Sequence, residues 1–556
     1  MFLRRRRWIF VLAAAATVPF QAAHAQQTVN PGRIDERLRP ADKVPDAKSV
    51  DVPELPRQQT TPDSAIQVRL TEVRFEGVTA VPLEALNAIA APYLNRDMPL
   101  AEVFKLAEEV TAEYRRRGFV LSRAVVGPQR IEGGVLTLQV VEGHIGATKI
   151  EGDAGGYAPY LRGYLAEAAA ERPTSGAALT RALLLARDLQ GLDVRAVLTP
   201  SPSEVGAADL TLAVDPKPIE GFVAVDNRGS RWLGPLQVYG GLSFNDLLGA
   251  GERISITAVS APVNKELGFL SASWDQPLTA SGLRLSVFGS YAATHPGDEL
   301  RLLDLRGRSA TYGAALRYPF VRSRETNIFG RVTFTGRDSS SRNIVIDPIF
   351  DDSTRTVSAE IYGNYAAPWG GILNVRASVT QGLDMLGATT RRDANKSRAT
   401  GTGTATRANA EVSFAYGVAG GLYFQASGAM QYSSQSLLAS EEFGIGGEQY
   451  GHAYDSSEIT GDKGVAGRAE LFYAASGKLG TVQPYGFYEA GRVLQNDPLP
   501  GEPAHASLQS VGFGVRFGLR VGGINGSLEY AKPINRPVAS RGDKDGRVFF
   551  SLGMSF

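Results

Sequence analysis

From about Lys217 to the C-terminus, apolar residues alternate with polar or small residues, and clusters of turn-forming residues separate the alternating segments. The clearest segment runs from Val511 to Val521 and carries Gly512, Gly514, Arg516, Gly518 and Arg520 between its apolar positions. A strand with lipid on one face and a wet lumen on the other tolerates this pattern. Because backbone polar groups cannot remain unpaired in hydrocarbon, such strands must close on themselves. The pattern therefore predicts a transmembrane β-barrel over residues 217–556, with Arg516 and Arg520 facing the lumen.

We expect about sixteen antiparallel strands, an even number as in single-chain bacterial barrels. Their predicted starts lie near residues 219, 236, 252, 267, 282, 309, 326, 354, 371, 405, 421, 464, 480, 508, 522 and 546. A barrel of this size has room for an aqueous channel, and both of its ends lie on one side of the membrane. A large soluble β-protein is the alternative that the pattern leaves open.

Two segments before the barrel mix strand and helix patterns. Residues 66–147 predict a strand at 68–75, helices at 83–94 and 100–117, and strands at 119–126 and 135–141. Gly118 suits the end of the second helix. Residues 148–216 repeat this order in a shorter form, with strands at 148–150, 194–198 and 210–214 and helices near 157–169 and 175–189. Each segment is predicted to be a small α+β domain.

The N-terminal residues 1–25 have the pattern of a secretory signal peptide. Arg4 to Arg7 are basic, the following apolar run is too short to span a bilayer, and Ala23-His24-Ala25 suits signal peptidase. Residues 26–65 are polar and rich in Pro, Asp and Gln, which predicts a linker. Within it, residues 31–39 place Ile34 and Leu38 on one helical face, so a short helix and an unstructured tail both fit the residues.

The composition of the chain argues against several kinds of partner and functional site. Among its 556 residues, 58 Lys and Arg balance 57 Asp and Glu, so net charge does not indicate a nucleic-acid partner. The absence of cysteine excludes disulfides, thiolate metal sites and cysteine nucleophiles. A mean hydropathy of -0.12 argues against many membrane-spanning helices. No metalloprotease, serine-hydrolase or nucleotide-binding motif occurs, so we expect no enzyme activity, cofactor or metal.

Several motifs resemble those of one protein family. A polypeptide-transport-associated (POTRA) domain is suggested by Glu76-Gly77, Leu100 to Tyr114, Arg117-Gly118-Phe119, Ser122-Arg123-Ala124 and Val141-Glu142-Gly143. These motifs resemble in particular the first POTRA domain of the two-partner secretion transporters, the TpsB-type proteins similar to haemolysin activators. The barrel is similar to theirs at Asp226-Asn227-Arg228-Gly229, at Leu248-Gly249-Ala250-Gly251-Glu252 and at the terminal Phe556, which would be the barrel-assembly signal. The resemblance implies a membrane β-barrel preceded by two POTRA domains.

The long segment 434–463 exceeds any hairpin turn. It resembles the lumen-inserted loop of the same transporters, whose Val-Arg-Gly-Phe/Tyr core lies between a Gly-Gly pair and a Gly-Asp-x-Gly segment. The resemblance assigns to this gating loop and its anchor Gly446, Gly447, Gly451, His452, Ala453, Tyr454, Asp455, Gly461, Asp462 and Gly464. His452 stands where the family has an arginine.

In the family, that arginine pairs with the aspartate of an inward Phe-x-Asp-x-Gly motif on a barrel strand. The matching positions here are Phe487, Glu489 and Gly491, with glutamate in place of aspartate. We hypothesise that His452 and Glu489 form the contact between loop and wall, and that it weakens as the histidine loses its proton. The alternative is that packing of Tyr450 and Tyr454 holds the loop and His452 is incidental.

The resemblance implies a function in two-partner (type Vb) secretion. The protein would be an outer-membrane pore whose periplasmic POTRA domains recognise an unfolded partner, a large secreted TpsA-type exoprotein, before its translocation to the cell surface. The long loop would gate the pore, and the helix of residues 31–39 would plug it. Outer-membrane lipid and the barrel-assembly machinery would be further partners, and nucleic acid would not. The alternatives are a factor that assembles barrels or autotransporters, which usually has three or more modules, and a passive porin, which needs no soluble modules.

Overall fold

A computed structural model of the chain describes residues 29–38, 45, 66–263, 265–343 and 346–556. The predicted signal peptide and most of the predicted linker lie outside these residues. The first described element is a helix, α1, at Pro31–Leu38. Two α+β domains and a closed antiparallel barrel follow it. Among the described helices, none is both long enough and apolar enough to cross a membrane.

The first α+β domain contains five strands and two helices, and its three-stranded sheet has the order β2-β5-β4. Its elements are β1 (Gln67–Arg69), β2 (Glu72–Glu76), α2 (Leu83–Ala90), β3 (Asp97–Pro99), α3 (Leu100–Arg116), β4 (Arg123–Val125) and β5 (Val135–Val141). The apolar face of α3 packs on β5 because Val103, Leu106, Val110 and Tyr114 are buried against Leu136 and Leu138.

The second α+β domain is shorter and has a three-stranded sheet of order β6-β8-β7. Its elements are β6 (His144–Glu151), α4 (Ala158–Ala170), α5 (Gly176–Arg187), β7 (Leu192–Pro200) and β8 (Ala207–Pro216). It is attached to the barrel by polar contacts at one rim. The backbone N–H of Gly156 donates to the Asp246 carboxylate at 2.8 Å, and Arg322 pairs with Asp188 at 2.7 Å.

The barrel contains sixteen antiparallel strands, each paired with its neighbours in sequence, and the last pairs with the first. Its first eleven strands are β9 (Ile219–Asp226), β10 (Gln237–Asn245), β11 (Arg253–Ser260), β12 (Leu267–Pro277), β13 (Arg284–Thr294), β14 (Arg306–Arg322), β15 (Thr326–Arg342), β16 (Phe350–Ala366), β17 (Gly371–Gly382), β18 (Thr406–Ala419) and β19 (Leu422–Tyr432). Two short strands, β20 (Phe443–Ile445) and β21 (Ile459–Gly461), belong to the following loop and pair with each other. The remaining barrel strands are β22 (Lys463–Tyr473, continued at Ala475–Ser476), β23 (Gly480–Leu494), β24 (His505–Leu519), β25 (Ile524–Pro533) and β26 (Arg547–Ser555).

The prediction of a barrel with about sixteen strands is confirmed, and each predicted start lies within four residues of an observed one. The alternation explains this agreement. In β24 the apolar Val511 and Phe513 are exposed on the outer surface, whereas Gly512 is buried. Arg520, which was predicted to face the lumen, lies just beyond β24, which ends at Leu519, and a turn with left-handed Gly522 follows.

The barrel closes between β26 and β9 through a short seam. Strand register pairs Ser551 with Asp226 at one end and Ser555 with Phe222 at the other. Phe556 extends the seam, because its backbone N–H and C=O both bond to Gly221 at 2.9 Å. A side chain at residue 221 would collide with the ring of Phe556, which would then have to shift.

Candidate functional site: the lumen loop and its anchor

The loop after β19 folds back into the barrel and is fixed there by its glycines. Gly446 and Gly451 have φ values of +129° and +86°, which disfavour residues with a side chain. A Cβ at residue 446 would also collide with the backbone oxygen of Asp455. Backbone bonds from Gly446 to Tyr450 at 2.8 Å and from Gly447 to Gly451 at 3.2 Å close the tip of the loop. This tight turn presents His452 to the barrel wall.

His452 and Glu489 are in contact in the structure. Nδ1 of His452 lies 2.7 Å from Oε1 of Glu489, and both side chains are buried. The other oxygen, Oε2, accepts the backbone N–H groups of Gly451 and His452 at 2.9 Å each and the Ser510 hydroxyl at 2.8 Å. Glu489 therefore binds the backbone of the loop tip as well as the imidazole. Phe487 lies beside this contact, with its ring centre 5.0 Å from that of His452.

A group of charged side chains on the barrel wall surrounds this contact. Arg468 and Arg516 both pair with Glu470, and Arg516 does so at 2.6 Å and 2.8 Å. Glu529 accepts the Tyr485 hydroxyl at 2.6 Å and pairs with Arg228 at 3.1 Å. We call Arg468, Arg516, Arg228, Glu470, Glu489 and Glu529 the wall cluster. Arg516 faces the lumen as expected, but the role of Arg468 was not expected from the sequence.

The loop residues after His452 attach to the last barrel strands. The Tyr454 hydroxyl donates to the backbone oxygen of Gln509 at 3.0 Å, and Ala453 is buried. Asp455 pairs with Arg547 at 2.8 Å and accepts the hydroxyl of Ser540. Aromatic packing of Tyr450 and Tyr454 and the polar contact of His452 with Glu489 thus both attach the loop to the barrel wall.

The Gly-Asp-Lys-Gly segment fixes the base of the loop. Asp462 is buried and accepts the backbone N–H of Leu437 at 2.6 Å and that of Asn496 at 2.8 Å. It also pairs with Arg398 at 2.7 Å. Arg398 comes from the loop between β17 and β18, and its sequence context gave no indication of this contact. Asp462 therefore joins three segments of the chain.

Three glycines of the predicted site allow close packing rather than direct contacts to a ligand. The Cβ of a larger residue would meet the Phe443 ring at Gly464, Ile445 at Gly491, and the backbone of Leu494 at Gly461. Arg520 lies outside the site, in the turn after β24. Phe556 lies at the barrel seam. Within the described ranges, no group of three or more His, Asp or Glu side chains is arranged to hold a metal ion.

Helix α1 lies inside the barrel, against strands β13 to β15 and the start of the loop. Asp35 accepts the Thr311 hydroxyl at 2.6 Å and the Ser290 hydroxyl. Arg33 donates to the backbone oxygens of Ala439 at 2.7 Å and Glu442 at 3.0 Å. On the other face of the helix, Ile34 is buried in an apolar group that contains Trp232, Leu233, Ala261, Leu267 and Leu300.

A cavity of about 830 Å³ lies in the lumen beside α1, along the wall opposite the wall cluster. Fourteen of its described lining residues are serine or threonine, on strands β10 to β17. Arg376 and Glu360 form an ion pair there, and the Arg376 guanidinium lies 4.7 Å from the centre of the Tyr362 ring. The lumen thus has one wall that holds the tip of the loop and another that carries hydroxyl groups among charged side chains, of which Arg337 pairs with Glu441 of the loop at 3.0 Å.

Comparisons with known families agree with both halves of this architecture. A family model described as haemolysin secretion/activation protein ShlB/FhaC/HecB matches residues 206–517, and one described as POTRA domain, ShlB-type, matches residues 68–143. The outer membrane transporter CdiB of Dickeya dadantii is 26% identical over 437 residues, which cover 74% of each chain. The heme/hemopexin transporter protein HuxB of Haemophilus influenzae is 22% identical over 271 residues, 47% of this chain and 46% of that protein.

Solved structures share the fold at lower identity. CdiB from Escherichia coli has a TM-score of 0.70 and 19% identity, with 96% of this chain and 98% of that chain covered. BamA from Haemophilus ducreyi, lacking POTRA domains 1–3, has a TM-score of 0.53 and 14% identity, with 88% and 100% covered.

Proposed function

Because the chain belongs to the haemolysin secretion/activation family ShlB/FhaC/HecB and is an outer-membrane two-partner secretion transporter, we propose that its periplasmic POTRA domains capture an unfolded exoprotein for passage through the barrel. The family is a class of secretion channel and not a class of enzyme. The exposed edges of the two small sheets offer unpaired backbone groups, with which an extended client strand can pair. We expect the client to be a large secreted TpsA-type protein.

The path through the barrel follows the wall lined with hydroxyl groups. An extended polypeptide needs hydrogen-bond partners for its backbone, and serine and threonine hydroxyls both donate and accept. The opposite wall is occupied by the loop and its anchor. The 830 Å³ cavity is the part of the lumen left beside α1 and the loop, so both must move before a chain can pass.

The observation that supports the proposal is that α1 and the loop occupy part of the lumen and are held there by polar contacts together with apolar packing. The His452–Glu489 contact anchors the loop, and Asp35 with Arg33 anchors α1 as a plug. The polar contacts can be exchanged for contacts with water or with a client, whereas the apolar contacts of Ile34 and Tyr454 must be replaced by contacts with other apolar surface.

Two measurements on the full-length protein test this function. In cells that produce the transporter and the exoprotein encoded beside it, deletion of residues 66–143 should abolish appearance of the exoprotein at the surface, while the barrel still reaches the outer membrane. In planar bilayers, deletion of residues 26–62 should convert a low, unstable conductance into a high one. An unchanged conductance would contradict the plug, and normal secretion without the first POTRA domain would contradict capture.

Insertion of the barrel itself requires outer-membrane lipid and, we propose, the barrel-assembly machinery, which would recognise the terminal Phe556. The remaining alternative, a barrel-assembly factor, makes a separate prediction. Loss of such a factor would lower the amounts of other outer-membrane barrels, whereas loss of a secretion transporter should affect only its client.

A further inference from the structure

The outer face of the fully described strands β22 to β25 carries basic side chains and no acidic ones. The acidic side chains of these strands face the lumen and belong to the wall cluster: Glu470, Glu489 and Glu529. Three basic side chains face outward: Lys463 on β22, Arg492 on β23 and Lys532 on β25. Alternation fixes these directions, because Arg492 is exposed like Tyr488, whereas Glu489 between them is buried. These strands therefore present an excess of positive charge on the outside of the barrel.

The three basic residues lie near the rim that faces away from the POTRA domains. The ends of β12 and β14 contact the second POTRA domain, since Tyr160 donates to the backbone oxygen of Pro277 at 2.8 Å and Arg322 pairs with Asp188. As the fourth, sixth and twelfth strands of an antiparallel barrel, β12, β14 and β22 run in the same direction. The opposite rim is therefore where β22 begins and where β23 and β25 end. The POTRA domains are periplasmic in this family, so that rim faces the cell exterior.

These residues also lie at the outer boundary of the apolar band. Lys463 is the first of the 11 residues of β22, and a strand of about 9–11 residues crosses a bilayer. Exposed tyrosines mark the same boundary, as they do at membrane interfaces. The Lys463 ammonium lies 5.2 Å from the centre of the Tyr432 ring, and Tyr488 faces outward on the same strand as Arg492. A charge that is costly at the bilayer centre is tolerated here, at the level of the lipid headgroups.

The three charges are not neutralised by ion pairs. Among the residues that the structure describes, no carboxylate pairs with any of them. The adjoining loop of residues 495–504 contains Asp497, which accepts the Ser436 hydroxyl at 2.7 Å, and Glu502, which accepts the backbone N–H of Leu499 at 3.0 Å. The loop of residues 534–546 contains three basic and two acidic residues and adds no net negative charge. The outward charges are thus available to an anionic partner.

Strand register brings Lys463 and Arg492 close together. Lys463 is opposite Leu494, and Val465 is opposite Arg492, so the two basic residues are diagonal neighbours with Cβ atoms about 7–8 Å apart. Both side chains are long and flexible and can reach one phosphate group. Lys532 is two strands away, about 16 Å from Arg492 by strand spacing and residue rise, which suits a second phosphate group.

We propose that Lys463, Arg492 and Lys532 bind the phosphate groups of a phosphorylated glycolipid in the outer leaflet of the membrane. Guanidinium and ammonium groups bind phosphate through charge-assisted hydrogen bonds. Exposed apolar residues on the same strands, such as Val465 and Leu471, contact the acyl chains. The lipid covers the outer face of strands whose inner face holds the tip of the loop. The inference rests on the outer-membrane location of the family and not on the capture proposed above.

Native mass spectrometry of the full-length protein in nanodiscs measures this binding. The discs consist of phosphatidylcholine with a small fraction of a phosphorylated glycolipid, or of the same glycolipid without its phosphates. Lys463→Gln combined with Arg492→Gln should lower retention of the phosphorylated form about thirtyfold, because each basic residue near an anionic membrane contributes about fivefold. Lys532→Gln alone should lower it about fivefold. Retention of the glycolipid without phosphates should be the same in wild type and in both variants.

Arg306→Gln combined with Arg342→Gln is the matched control. It also removes two outward arginines from neighbouring strands at the same rim, where they face each other on β14 and β15. These arginines already pair with aspartates, Arg306 with Asp304 at 3.2 Å and Arg342 with Asp347 at 3.6 Å. Because a paired charge attracts a further anion only weakly, retention should change by less than about twofold.

Several results would overturn the proposal. They are unchanged retention in the Lys463 and Arg492 double variant, an equal loss in the control, and equal retention of phosphatidylglycerol by wild type. Complete displacement by millimolar inorganic phosphate would mean that the site takes free phosphate, and would also overturn it. Heat-modifiable migration on gels shows whether each variant barrel is closed. If the double variant does not fold, wild type still gives a test: salt raised from about 0.1 M to 1 M should release the glycolipid, and retention that is insensitive to salt would contradict the proposal.

Discussion

Replacement of Asp35 with alanine tests how the plug helix is held in the lumen. The carboxylate is fully buried, accepts the hydroxyls of Thr311 at 2.6 Å and of Ser290, and lies 3.9 Å from Nε of Arg337. Alanine keeps the helix and removes these contacts. The Thr311 and Ser290 hydroxyls lose this acceptor, while Arg337 keeps its ion pair with Glu441 at 3.0 Å.

The magnitude follows from the two hydrogen bonds. A hydrogen bond to a charged group contributes about 1.5 kcal/mol at the lower end of its range, so the docked state loses about 3 kcal/mol. Each 1.4 kcal/mol corresponds to a factor of ten, and the undocked population should rise about 100-fold. Burial of Ile34 contributes about 2 kcal/mol to docking and is unchanged, so the helix still has a preferred site.

Single-channel recording in planar bilayers measures this change as the fraction of time in the high-conductance state. The matched control is Glu36→Gln, one residue along the same helix, because the Glu36 side chain is 53% exposed and 3.9 Å from Arg337. An exposed pair contributes about 1 kcal/mol at most, so its effect should stay below about fivefold. The reasoning is refuted if Asp35→Ala behaves as wild type while deletion of residues 26–62 opens the channel.

Three further predictions concern other parts of the molecule. Tyr454→Phe removes the bond to Gln509 and should weaken the loop by about 1 kcal/mol, visible as a small shift in spin-label distances. Burial raises the pKa of Glu142, but hydrogen bonds from the Thr79 hydroxyl, from the backbone N–H groups of Ala80 and Thr79 and from the Tyr114 hydroxyl outweigh it and lower that pKa. The first POTRA domain should therefore lose stability as pH falls below about 4, with faster hydrogen exchange in residues 66–143, and Glu142→Gln should abolish this dependence. Phe556→Ala should slow membrane insertion, measured as unfolded barrel in pulse-labelled cells, without affecting the POTRA domains.

The barrel was predictable because lipid and water impose a period of two on every strand. The pattern around Val511 shows this directly, and it also placed Arg516 in the lumen. The same period places Arg468 and Glu470 on the inner face of β22, a signal that was available in the sequence. The partners of these two residues could not be predicted. The pairing of Arg468 with Glu489 depends on the register of two strands and on where the loop tip lies.

Contacts between loops that are far apart in the sequence could not be predicted from local sequence patterns. Arg398 and Asp462 lie 64 residues apart, and neither has a local spacing that indicates the other. At Arg520 the alternation in the sequence continues one position past the end of the strand at Leu519. The pair Gly522-Gly523, both with positive φ, marks that end and carries more information than the alternation itself.

The hydroxyl-lined wall has a mechanical consequence for any chain that touches it. Short side chains of serine and threonine form weak bonds that can be exchanged quickly for bonds to the next segment. Between the charged side chains of the same wall, a moving backbone would meet many equivalent shallow minima, so the hydroxyl groups themselves add little friction whatever the order of its amino acids. Such a surface suits a conduit that must carry hundreds of different residues in succession without retaining any of them.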